Sequence, residues 1–180
     1  MLDFTWALCS MAGGIAAGLT LRSQRADALR RALPVFGVTL LMGFALIALA
    51  AVLFGLSPAV TLAQAPVIFK YILLYFAVNF VLEEVAFRGG LDSHVHPPGE
   101  SNSRARAWGS ALFVSVLWGL WHLPPEMLAG EAFADALVIN LVFGILVGVP
   151  LSFCWRQGGT LVLPALAHAL IDAYRNSLLA

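Results

Sequence analysis

The chain has 180 residues, of which 61% are hydrophobic and only 11% charged. A soluble domain carries about 25% charged residues, so this composition excludes an ordinary soluble globule and points to an integral membrane protein. The formal net charge is zero and no basic run is present, which argues against nucleic acid as a partner and leaves membrane lipids as the surroundings.

Six apolar segments follow one another, at about 4–21, 33–55, 66–88, 108–128, 133–154 and 159–178, each near the roughly 20 residues that cross a bilayer. Open strand edges cannot be satisfied in hydrocarbon, and the alternation of barrel strands is missing, so the segments are predicted to be helices. The expected fold is therefore all-α, a polytopic transmembrane helix bundle of about six spans forming a single domain over residues 1–180. Asp3 is the only early charge, and without a basic leader the first segment is predicted to remain as a spanning helix. Its glycines and alanines suit close helix packing. Cys9 and Cys154 lie apart with no C-x-x-C spacing and read as small buried hydrophobes.

Basic residues set the expected orientation. Arg22, Arg25, Arg30 and Arg31 follow the first segment; Arg88, Arg104 and Arg106 flank the third connector; Arg156 lies in the fifth. Eight of the ten Lys and Arg thus fall on one side, with Lys70 and Arg175 near the other. The positive-inside rule places the arginine-rich connectors in the cytoplasm and both termini outside, as in a multi-pass protein of a bacterial-type cytoplasmic membrane. The long third connector, Gly89 to Ala107, reads as an exposed loop, with His94-Val95-His96-Pro97-Pro98-Gly99 followed by Ser101-Asn102-Ser103. His94 and His96 lack further ligands nearby and read as polar loop residues rather than a metal site. Ser103 is placed to cap the fourth helix.

Ionisable groups inside the apolar segments are the candidates for chemistry, because each costs roughly 2.5–3.5 kcal/mol at membrane depth on insertion scales. The third segment ends in Glu83-Glu84-Val85-Ala86-Phe87-Arg88. Glu84 and Arg88 stand four apart with the acid first, the favourable order for an ion pair. Glu83 is turned about 100° away and is free to meet another helix. The fourth segment carries Trp118 and His122 on one face, and Pro124 and Pro125 are predicted to end or kink it just beyond. The last carries His168 and Asp172 on one face, with Pro164 predicted to kink the helix and free a carbonyl at that level. Each could be a structural hydrogen bond, but polar groups on three separate spans are hard to explain as packing.

These residues resemble the CPBP family of intramembrane endopeptidases, which includes the type II CAAX prenyl proteases and bacteriocin-immunity proteins. Its motifs E-E-x-x-x-R, F-x-x-x-H and H-x-x-x-N/D are matched in order by Glu83-Glu84-x-x-x-Arg88, Trp118-x-x-x-His122 and His168-x-x-x-Asp172, with tryptophan where phenylalanine is usual. The resemblance covers about 66–178. It implies that Glu83 and His122 activate a water for attack on a peptide carbonyl, while His168 and Asp172 hold the oxyanion and substrate. An ionised Asp172 cannot donate, so it orients His168 or is itself protonated; the family's asparagine would be the easier chemistry. Glu84 and Arg88 are a supporting pair, with Glu84 as a second catalytic acid the alternative, and Trp118 keeps the aromatic wall.

No cofactor is expected. The alternative is zinc on Glu83, His122, His168 and Asp172, with an open water position. Against it, no H-E-x-x-H is present and no two histidines share a helix face. Counted from the cytoplasmic ends, Glu83 lies about 8 Å deep and His122 about 21 Å, so tilt or a lowered fourth helix has to bring them together. A separation above about 8 Å would contradict joint action on one water. The expected substrate is a peptide or membrane-protein segment, lipidated or not, cut near the cytoplasmic face. Two other readings remain: a non-catalytic immunity or scaffolding protein, and a proton-coupled transporter, for which no inverted repeat is seen.

Overall fold

The computed structural model describes residues 2–23, 25–97 and 103–178, which contain helices and no strand. Helix α1 is Leu2–Ser23, α2 is Ala26–Leu53 and α3 is Ala65–Asn79. The chain continues from α3 without a break into a π-helix, Phe80–Asp92, and a last turn, Ser93–Val95. Helix α4 is Arg104–Trp121, α5 the short Leu123–Leu128, α6 Phe133–Gly158 and α7 Val162–Leu178. The protein is an all-α membrane bundle, and among the described residues three stretches, Ala26–Leu53, Leu62–Val95 and Phe133–Gly158, are long and apolar enough to cross a membrane by length and composition.

The polarity of the bundle is inverted relative to a soluble protein. Leu41, Leu73 and Val138 are 71%, 59% and 61% exposed, whereas Glu84, Arg88, Asp92 and Ser152 are fully buried. Lipid can cover the apolar outside, while polar groups find partners only within. Small residues let the backbones approach. A Cβ on Gly119 of α4 would lie 2.5 Å from the carbonyl oxygen of Asn140 on α6, and one on Gly144 would lie 2.9 Å from that of Ser115. Gly119→Ala is accordingly expected to force α4 from α6 and to lower stability by about 1–3 kcal/mol, read as a fall in unfolding temperature in detergent.

Local chemistry explains where the boundaries differ from the sequence reading. Pro124 and Pro125 do end α4, and they open α5, where their missing N–H groups are not needed. Pro164 falls in the first turn of α7 instead of its interior, so it neither kinks that helix nor frees a carbonyl there. Gly159, at φ 59°, closes α6 with its N–H 2.7 Å from the carbonyl oxygen of Trp155. Gly89 and Gly90 lie inside the π-helix, so the third connector begins beyond Val95 and not at Gly89. Its Pro98, Gly99, Ser101 and Asn102 lie outside the described residues, as does the side chain of Cys9; Cys154 is buried as a free thiol. Ser103 caps α4, accepting from the N–H of Arg106 at 3.3 Å.

Candidate active site

The π-helix presents the two glutamates. Its N–H groups reach back five residues instead of four, a widening found mostly in single turns and frequently at functional sites. Glu84 and Arg88 are both fully buried and pair at 3.4 Å, as their spacing predicts. Arg88 also donates to the carbonyl oxygen of Gly148 at 3.5 Å, and its guanidinium lies 4.6 Å from the centre of the Trp118 ring. The cation is thereby held by a carboxylate, a carbonyl and an aromatic face.

Glu83 faces the other way, towards α4 and α7. Its Oε2 accepts from the indole Nε1–H of Trp118 at 2.5 Å, and lies 3.6 Å from His122 Nε2 and 3.9 Å from His168 Nε2. Three helical segments thus converge on one carboxylate oxygen. The predicted separation of depths is overcome in part because the third helix runs on to Val95, which sets Glu83 farther from its end than the sequence suggests.

His122 is the first residue past α4, and its Nδ1 lies 2.9 Å from the carbonyl oxygen of Trp118. A carbonyl only accepts, so Nδ1 carries the hydrogen and, in the neutral ring, Nε2 presents its lone pair towards Glu83. His168 is framed by acids on both sides: Nδ1 is 3.0 Å from Glu84 Oε1, and Nε2 is 3.4 Å from Asp172 Oδ2. Asp172 in turn accepts from Asn79 Nδ2 at 2.8 Å and pairs with Arg175 at 3.2 Å. The Trp118 ring stands edge-on to both imidazoles, with centroids 5.3 Å from His122 and 5.0 Å from His168.

The sequence reading missed Asn79, although it is a polar residue in an apolar run, one α-turn before Glu83. It also missed Glu126 and Asn140, which lie 2.5 Å apart at the edge of the same site. The substitution of tryptophan for phenylalanine at 118 does more than keep a wall, because phenylalanine has no N–H to give Glu83. Zinc fits poorly: both nitrogens of His168 are directed at carboxylates, Asp172 is held by Asn79 and Arg175, and no group of three or more His, Cys, Asp or Glu among the described residues could hold a metal ion.

A cavity of about 950 Å³ opens beside these groups, with Trp118, His122, His168 and Asp172 in its lining. Comparison with known families finds a match over residues 64–174 to the model described as Type II CAAX prenyl endopeptidase Rce1-like. The chain belongs to that family. No curated protein and no solved structure matches it. Membership makes this Rce1-like protein a membrane peptidase with a membrane-associated protein as substrate, in agreement with the resemblance carried by its three motifs. The match runs from α3 into α7 as far as Tyr174, and so takes in every motif residue, while α1 and α2 precede it.

Proposed function

We propose that this Rce1-like chain is an endopeptidase that cuts its substrate within the membrane by a metal-free, water-mediated reaction. Glu83 and His122 take a proton from one water as its oxygen bonds to the scissile carbonyl carbon. The resulting tetrahedral oxyanion collapses with cleavage of the C–N bond, and the same pair returns the proton to the leaving amine. His168, as an imidazolium, keeps its Nδ1 proton on Glu84 and shares its Nε2 proton between Asp172 and the oxyanion, with Asn79 and Arg175 holding Asp172 in place. Glu84 and Arg88 hold that arrangement in place. The observation that carries the reading is the 3.6 Å approach of Glu83 Oε2 to His122 Nε2, with His122 lining a cavity large enough for a peptide segment.

The test is cleavage of a panel of membrane-tethered peptides by the purified protein, with and without chelator. The expected result is cleavage that chelation leaves unchanged. Activity abolished by chelator and restored by zinc would replace the mechanism, and no cleavage of any peptide would favour a binding role. Eight of the ten basic residues lie at one end, and we place that end in the cytoplasm, with both termini outside.

Trp118 supplies a separate expectation. Trp118→Phe keeps the ring and removes only the N–H, so unfolding temperature is expected to fall by no more than the loss of that one hydrogen bond accounts for. A hydrogen bond to a charged group contributes about 1.5–3 kcal/mol, so kcat is expected to fall about 10- to 100-fold. Steady-state kinetics on the best peptide of the panel measures it.

A further inference from the structure

The cavity beside the candidate active site has mostly apolar walls, among them Leu46, Ile47 and Ala50 of α2 and Ile139, Val142 and Phe143 of α6. Five ionisable side chains interrupt them: His122, Glu126, His168, Asp172 and Arg175. Four of these already face a group of the opposite kind. Arg175 pairs with Asp172 at 3.2 Å, His168 lies between Asp172 and Glu84, and His122 faces Glu83. Glu126 is the acid left over. Among the described residues no lysine, arginine or histidine pairs with it.

Two contacts fix where this half-buried carboxylate sits. The backbone N–H of Glu126 lies 3.4 Å from the carbonyl oxygen of His122, which sets the two residues one helical turn, about 5 Å, apart. Glu126 Oε2 accepts from Asn140 Nδ2 at 2.5 Å. That amide belongs to a buried residue of α6 and also donates to the carbonyl oxygen of Ala136, at 2.9 Å. The acid is thus held at the cavity wall by an anchored but neutral donor. An amide orients a carboxylate without compensating its charge, and an uncompensated charge is costly in apolar surroundings. A cation brought in by a ligand removes that cost.

We propose that Glu126 is a specificity residue, forming with Asn140 a subsite for a basic side chain, lysine or arginine, of the substrate. This rests on the peptidase reading. The basic residue lies within about three residues of the scissile bond, because three extended residues span about 10 Å and the side chain carries its charge farther still. With the scissile carbonyl at Glu83 and His122, Glu126 is inside that reach. The walls suit such a side chain: its methylenes pack on Ile139, Val142 and Phe143 while the charged head meets the acid.

The experiment places Lys, Gln or Glu at each of the three positions on either side of the cut in a cleaved peptide of the panel. At one of these positions kcat/KM is expected to be about 10- to 100-fold higher for Lys than for Gln, and lowest for Glu. Glu126→Gln still accepts from Asn140 but lacks the charge, so its Lys-to-Gln ratio is expected to fall close to one. A merely structural tie between α5 and α6 would leave the ratio as it is in the parent. Glu126→Lys is expected to turn the preference towards the Glu peptide, which keeps the test readable should either variant fail to fold. No preference for Lys at any position in the parent, or a preference that survives Glu126→Gln, overturns the inference and leaves the peptidase reading intact. Binding of fluorescent Lys and Gln peptides to Glu83→Gln reads the subsite without cleavage. Tighter binding of the Lys peptide there, abolished by adding Glu126→Gln, supports the subsite, and if the parent cuts no peptide the same result counts against the peptidase reading. Equal binding of the two peptides overturns the inference.

Discussion

Glu83→Gln is expected to lower the rate of peptide cleavage by about 10²- to 10⁴-fold, the range for loss of a positioned general base, with normal membrane insertion and an unchanged unfolding temperature. The substitution is close to isosteric. Its amide oxygen still accepts from Trp118 Nε1–H in the place of Oε2 beside His122 Nε2, so the framework around the site is kept. What disappears is the ability to take up a proton. Cleavage rates of matched detergent preparations measure the effect. A residual rate within about threefold of the parent would place the base elsewhere, since even a weak general base contributes more than that.

The largest expected effect on stability comes from Arg88→Met. Methionine fills much of the same volume, but it strips Glu84 of its cation inside a fully buried pair. Removing one partner of such a pair costs about 3–5 kcal/mol, because the remaining charge is left uncompensated. The single variant is expected to unfold well below the parent in detergent. The double replacement of Arg88 by Met and Glu84 by Gln is expected to recover most of the loss. A neutral amide needs no counter-charge, and its oxygen can still meet His168 Nδ1. Were the double variant no more stable than the single, packing against Trp118 and Gly148 would outweigh charge pairing in holding Arg88.

The parts of the fold and site legible in the sequence were those where one residue type forces one outcome. Long apolar runs can only be helices in lipid. Acids, imidazoles and an arginine inside those runs need one another, which is why Glu83, His122, His168 and Asp172 could be named before their distances were known. The Glu84–Arg88 pair followed from spacing alone. What was not legible depends on neighbours. The π-helix over Phe80–Asp92 has no local signature in its residues. It also carried the helix through Gly89 and Gly90, which read as the start of a loop. Asn79 could have been found by asking which other polar residues lie within one turn of Glu83. Asp92 and Arg156 fall in connectors by sequence, yet together they tie the π-helix to α6. Pro164 reads as a kink only if the last helix begins near 159; it begins at Val162.

Joint action of Glu83 and His122 on one water is tested most directly by the kinetics of Glu83→Gln, His122→Ala and the double variant on a single peptide. Groups that act as a unit are strongly non-additive, so the double variant is expected to be about as slow as the slower single one. Rate losses that multiply would show the two side chains acting independently and would contradict the mechanism.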